Sequence, residues 1–215
     1  MPTETISERL KAQTRDLHQR AEQGGLPSDL LKGRLPRDRF VAMLEQLLLI
    51  HAELEDQIRQ QRPSEPRLAA LVDDEQFKVQ LLRQDLEHLG ADPDSATPTG
   101  ATFDLIARIR ELGTGDPLSL IGLHYVLEGS TNGNRFIAEV ARQAYRLDGR
   151  AGTRYLDPYG QAQRQRWAGF KQTLRELRFS PEEESRVIDS ARAMFTGITR
   201  VYEDLYPDSS RVVGV

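Results

Sequence analysis

The sequence predicts an all-α protein. Apolar residues recur at spacings of three and four along most of its 215 residues, as they do on helices that bury one face. Helix starts are written out: Thr5-x-x-Glu8 and Ser180-Pro181-Glu182-Glu183 have the form of capping boxes, and Pro36 suits a first turn. No segment alternates apolar and polar residues as a half-buried strand does.

The first helix starts at Thr5 and carries the apolar stripe Ile6, Leu10, Leu17 and Ala21. It runs to about Glu22, before Gly24 and Gly25 stop it. The second runs from Pro36 to about Arg62, where Pro63 and Pro66 end it. A third covers 67–89, in one piece or two. The segment from Gly90 to Thr102 holds two prolines among polar turn residues and reads as a loop. A short helix spans 103–112. A longer one spans 117–147, with Asp116 as N-cap and Pro117 in first position. Gly149 to Pro158 is another loop, and helices over 159–178 and 181–205 complete a bundle of about seven. The pattern is one domain over residues 1–206 with a loose tail at 207–215.

Charged residues make up 29% of the chain and the net charge is −4, a mixed surface without the basic excess of a nucleic-acid binder. Cysteine is absent, which excludes disulfides, thiolate metal sites and thiol nucleophiles. The longest apolar run, Leu47-Leu48-Leu49-Ile50, is too short for membrane insertion, and the opening MPTETISERL has no apolar signal core. A cytoplasmic protein is expected.

The chain is organised around the stretch from His124 to Ala138, where the helix over 117–147 is expected to break or bend near 129–134. Gly129 and Gly133 are four apart and share a face. Each costs roughly 1 kcal/mol relative to alanine in a helix interior. Two readings fit the spacing. Either the backbone must approach something flat or bulky there, or one helix ends at Asn132-Gly133-Asn134 and another begins.

The first helix offers a second candidate. Lys11, Thr14, Arg15, His18 and Glu22 form a stripe beside the apolar one. A histidine on such a border is commonly structural or exposed. Its company points further. Glu22, one turn on, can fix the imidazole tautomer and make it a better metal ligand. Lys11 and Arg15 can hold ligand carboxylates. One histidine ligand and two anionic arms describe heme.

Ser7-Glu-Arg-Leu-Lys-Ala-Gln-Thr-Arg-Asp-Leu-His18-Gln-Arg-Ala-Glu22 resembles the first helix of heme oxygenases, with its pattern L-K-x-x-T-x-x-x-H-x-x-A-E. Tyr125-Val-Leu-Glu-Gly-Ser-Thr-Asn-Gly133 looks like the bacterial form of that family's glycine-bent distal helix. Phe179-Ser-Pro-Glu, Arg186-Val-Ile-Asp and Ala193-Met-Phe195 are similar to its C-terminal pattern. The resemblance covers residues 3–206 and implies a single-domain, heme-oxygenase-like helical bundle.

By that resemblance His18 matches the axial ligand of the heme iron, and Glu22 the acidic residue that supports it. Lys11, Arg15 and Lys171 match basic positions near the propionates. Gly129 and Gly133 match the glycines that let the distal backbone lie on the porphyrin face, which decides between the two readings in favour of close approach. Mammalian-type members carry a distal aspartate where Ser130 stands and a further glycine where Asn134 stands. His124, with Tyr125 beside it, matches a tyrosine near the propionates, and Trp167 stands where a basic residue is expected.

The activity implied is oxidative cleavage of heme to biliverdin, carbon monoxide and free iron, with heme as cofactor and substrate, O2 as oxidant and Gly129, Ser130 and Gly133 shaping the distal side. Electrons come from an external donor such as ferredoxin, flavodoxin or a reductase, and the Lys11/Arg15 face suits an acidic one. Two other readings stand beside this one. A heme- or bilin-binding protein without turnover is left open by Ser130 and Asn134. A non-heme di-iron oxidase of the same fold would draw ligands from Glu45, His51, Glu55, His88, His124 and Glu128.

Overall fold

Ten α-helices and three short 3-10 turns make up residues 4–207, the part of the chain that this computed structural model describes, and no strand occurs among those residues. The helices are α1 (Ile6–Gln13), α2 (Arg15–Gln23), α3 (Gly25–Leu31), α4 (Arg37–Gln61), α5 (Pro66–Leu71), α6 (Val79–His88), α7 (Gly100–Gly115), α8 (Ser119–Tyr145), α9 (Gln163–Glu176) and α10 (Pro181–Leu205). The tail expected at 207–215 lies, beyond Pro207, outside the described residues. None of the described helices is long and apolar enough to cross a membrane.

The count exceeds the seven expected for local reasons. The first helix is interrupted at Thr14, whose hydroxyl donates to the Leu10 carbonyl at 2.7 Å and whose backbone stands at φ −109°, ψ 0°. A threonine bonded back to the carbonyl four residues earlier bends a helix. α3 begins at Gly25, in the Gly24-Gly25 pair that reads as a stop. Pro27 lies in its first turn, where a missing amide costs nothing. The third helix splits at a 3-10 turn over Asp74–Gln76. α7 begins at Gly100, before the expected 103, because the Thr99 side chain caps it by accepting from the Thr102 amide at 3.3 Å. The capping boxes at Thr5/Glu8 and Ser180/Glu183 form with both reciprocal bonds.

α8 runs unbroken through both glycines, so no helix ends at Asn132-Gly133-Asn134. Ser130 and Thr131 hydroxyls and the Asn132 amide donate to the carbonyls of Leu127, Glu128 and Gly129 at 2.7, 2.6 and 2.9 Å. The start is later than expected. Asp116 and Pro117 form the preceding turn, and the Ser119 hydroxyl donates to the Asp116 carboxylate at 3.0 Å. Arg146, in the left-handed region at φ 55°, closes the helix, and the Leu147 amide returns to the Arg142 carbonyl at 2.9 Å.

Every residue from Leu118 to Glu128 is buried. A helix covered on all sides is the centre of a bundle. α10 lies along α8, and α4, α7 and α9 also pack on it. The closest approach is at Gly122, where a Cβ would stand 2.0 Å from the Val187 carbonyl oxygen and 2.9 Å from the Ala191 amide nitrogen. Only glycine lets these two backbones meet. α2 packs on α10, α3 and α1. α10 is therefore the shared wall between the helix of His18 and the helix of Gly129 and Gly133.

Candidate functional site

His18 sits on the first full turn of α2, just past the Thr14 kink. The kink is pinned to α10: Arg192 donates to the Gln13 carbonyl, and its guanidinium stands 3.5 Å from Asp16. From α10 the Phe195 ring meets the imidazole nearly edge-on, with centroids 5.7 Å apart and planes at 72°. Glu22 Oε2 lies 3.4 Å from His18 Nδ1. The other ring nitrogen, Nε2, has no hydrogen-bond partner among the described residues. The side chain is 55% exposed, so that nitrogen is open to an incoming ligand. α2 buries none of its residues, and an apolar stripe on an unburied helix leaves surface for something other than the protein to cover. Lys11 and Arg15 are exposed on the same two short helices and make no ion pair among the described residues.

The glycine side of the site is unequal. Gly133 is exposed, and a Cβ there would meet nothing within 4 Å. Gly129 is half-buried, and a Cβ would stand 3.3 Å from the Trp167 indole of α9. Trp167 stacks on Phe170 with centroids 5.3 Å apart and planes at 12°, and packs on Tyr125 at 5.5 Å. The Lys171 ammonium lies 5.7 Å from the indole centroid. Ser130 turns its hydroxyl to its own helix, and the Asn134 amide reaches it at 3.5 Å.

The structure thus gathers the expected residues into two groups. His18 and Glu22 form one, with Lys11 and Arg15 nearby on the α1–α2 unit. Gly129, Tyr125 and Lys171 form the other, around Trp167. α1 packs on α9, which carries Lys171. His124 belongs to neither group. It is buried inside the bundle, its Nε2 is 2.9 Å from Gln76 Oε1, and burial holds its pKa down at about 3.

His124 borders a buried polar cluster that no sequence motif announced. Lys78 Nζ lies 3.1 Å from Glu128 Oε2 and donates to the Tyr159 hydroxyl at 2.8 Å, and that hydroxyl donates to Glu128 at 3.0 Å. Glu55 accepts the Lys78 and Val79 amides at 2.6 and 3.0 Å, holding the start of α6. His51 Nε2 is 3.3 Å from the Tyr155 hydroxyl. Burial depresses the Lys78 pKa, and Glu128 opposes that shift. The sequence singles out His51, Glu55, His124 and Glu128 here, but as metal ligands, and does not point to Lys78. Among the described residues no group of three or more histidines and carboxylates stands ready to hold a metal ion. Glu128, His124 and His51 are engaged with Lys78, Gln76 and Tyr155, so the residues nominated for a di-iron site are not assembled as one.

Residues 4–204 match the model of the family described as heme oxygenase. The chain belongs to the heme oxygenase family. It is 22% identical over 216 residues to heme oxygenase 1 of Nostoc sp., a match covering 98% of this chain and 90% of that one. Among solved structures, heme oxygenase from Leptospira interrogans superposes with a TM-score of 0.86 at 21% identity, covering 93% of this chain and 98% of the other. Heme oxygenase-1 of the cyanobacterium Synechocystis, solved in complex with heme, gives 0.86 at 20% identity over 94% and 93%. These likenesses establish the heme oxygenase fold.

Proposed function

We propose that this protein is a heme oxygenase in activity as well as in family, opening the heme ring to biliverdin, carbon monoxide and iron. One observation carries the reading. On the kink pinned to α10, the His18 imidazole has a carboxylate behind Nδ1 and an open Nε2. That donor set suits a heme iron, because an acidic partner on the far nitrogen fixes the tautomer and raises ligand basicity. Gly133 adds a stretch of helix surface with no side chain and no neighbour, where a flat ring can lie on backbone.

When bound, heme supplies both the iron that activates O2 and the macrocycle that is oxidised. The protein's own part is binding and placement. His18 would be the iron's protein ligand, with Glu22 keeping the imidazole in one orientation. Lys11, Arg15 and Lys171 would hold the two carboxylate arms, as paired cations do for carboxylates. Gly133 would leave backbone open to the ring, and Gly129, against Trp167, would border that same face. Ser130 and Asn134 offer hydroxyl and amide groups to water there without a fixed charge. Exposed Lys11 and Arg15 also suit encounter with an acidic electron donor such as ferredoxin or flavodoxin. A cytoplasmic reaction goes with such donors.

The test is turnover. Hemin-loaded protein is supplied in air with ascorbate, or with ferredoxin and its reductase. Loss of the Soret band with growth of the broad red biliverdin absorption is expected. A Soret band that survives both reductants would contradict turnover and leave a heme-binding protein, the reading that the uncharged Ser130 favours.

A further inference from the structure

Trp167 stands at the rim between two spaces. On one side its indole fills the room that Gly129 leaves, 3.3 Å from the position of a Cβ. On the other it lines an open hollow of about 560 Å³, with Asn132, Arg135, Gln163, Arg164 and Lys171. Arg135 and Arg164 make no ion pair among the described residues. An indole needed only to fill the core would not border a hollow of that size. Nor is it loosely held. The stack on Phe170 at 12° and the packing on Tyr125 fix it on both flanks, and an aromatic held this way is a rigid wall.

The two glycines therefore differ in kind. Gly129 is glycine because Trp167 lies against it, while Gly133 opens onto free space. The face between them is walled at one end and clear at the other. A flat, asymmetric ring meeting such a face has one seating that avoids the wall. Hydrophobic contact of one or two methyl groups discriminates by about tenfold or more.

We propose that Trp167 is a specificity-determining residue, whose indole beside Gly129 sets the in-plane seating of the heme and so the carbon at which its ring opens. The inference rests on the heme oxygenase reading and adds to it the residue that selects the isomer.

Trp167 is the only tryptophan in the chain, so its emission reports on this contact alone. Hemin titrated into the full chain should quench that emission with the same midpoint as the Soret change. The cyanide complex of wild type, Trp167→Phe and Trp167→Ala is then compared by the heme-methyl resonances in proton NMR, and the biliverdin isomers by chromatography. One methyl pattern and one dominant isomer are expected for wild type and for the phenylalanine variant. The alanine variant should show a second methyl pattern, with its isomer ratio moved by about tenfold or more. Should the alanine variant fail to fold, Trp167→Leu carries the same comparison. Methyl patterns and isomers indistinguishable from wild type in a folded, hemin-loaded Ala or Leu variant would overturn the inference and leave the heme oxygenase reading intact. A wild-type chain that binds no hemin would overturn both.

Discussion

Lys78 and Glu128 pair at 3.1 Å with side chains only 2% and 3% exposed, Glu128 standing one residue before Gly129 on α8. The pair ties α8 to the start of α6, and Tyr159 braces it from the turn before α9. A buried ion pair gains little over well-packed apolar residues, but leaving one partner alone is costly.

Removing one charge should therefore hurt more than removing both. Lys78→Met is expected to lower unfolding free energy by about 3–5 kcal/mol, because Glu128 is left charged and buried. Adding Glu128→Leu to it should recover much of that loss. Urea denaturation of the single and double variants checks this. A double variant at least as unstable as the single would show that the pair is not the source.

Two glycines of α8 predict opposite results for one substitution. Gly122→Ala sets a Cβ 2.0 Å from the Val187 carbonyl, so α8 and α10 must separate. A loss of about 1–3 kcal/mol is expected, the usual cost of overpacking. Gly133→Ala meets nothing within 4 Å and sits on an exposed helix face. It should stabilise the ligand-free protein by up to about 1 kcal/mol through helix propensity. The same methyl group would weaken hemin binding if the ring lies on that face. Thermal melts with and without hemin separate the two effects. Equal stability changes at both glycines would contradict the assigned packing.

Acid should destabilise the fold through His124. Its folded pKa is held down at about 3, against the usual 6.5, by burial and by the charge of Lys78. Between those values the unfolded chain carries a proton that the folded chain does not. Stability accordingly falls as pH drops from about 6.5 towards 3 and is untouched by this group above that window. One proton corresponds to about 1.4 kcal/mol per pH unit at full difference. His124→Gln should flatten that slope. Unfolding free energy measured at several pH values between 7 and 4 tests it, and an unchanged slope in the variant would assign the effect to other groups such as His51.

Much of this molecule was legible in the sequence where local chemistry decides. The capping boxes at Thr5 and Ser180 announce helix starts because they are complete within four residues. In the L-K-x-x-T-x-x-x-H-x-x-A-E stretch, spacings of three and four place Lys11, Arg15, His18 and Glu22 together on an exposed unit, which α1 and α2 form. What escaped reading depends on partners distant in sequence, or on a residue whose usual meaning is overridden. Gly24 and Gly25 read as a stop, yet Gly25 opens α3. Thr14 reads as one more helical residue, yet its hydroxyl bends the chain. Lys78 meets Glu128 and Tyr159 across 50 and 81 residues, and nothing in the segment Gln76-Phe77-Lys78-Val79 signals that meeting. Gly129 and Gly133 read as a matched pair, and only the fold shows that Trp167 occupies the space beside one of them.

The central claim is that His18 is the ligand on which heme binding turns. Hemin is titrated into wild type and His18→Ala, and the Soret band is followed in each, with and without added imidazole. His18 is more than half exposed, so the alanine variant should keep the wild-type melting temperature. The wild type should show a saturable Soret shift. The variant should lose the histidine-ligated spectrum and regain it when imidazole is supplied. A folded His18→Ala variant with the wild-type Soret spectrum and affinity would contradict the account.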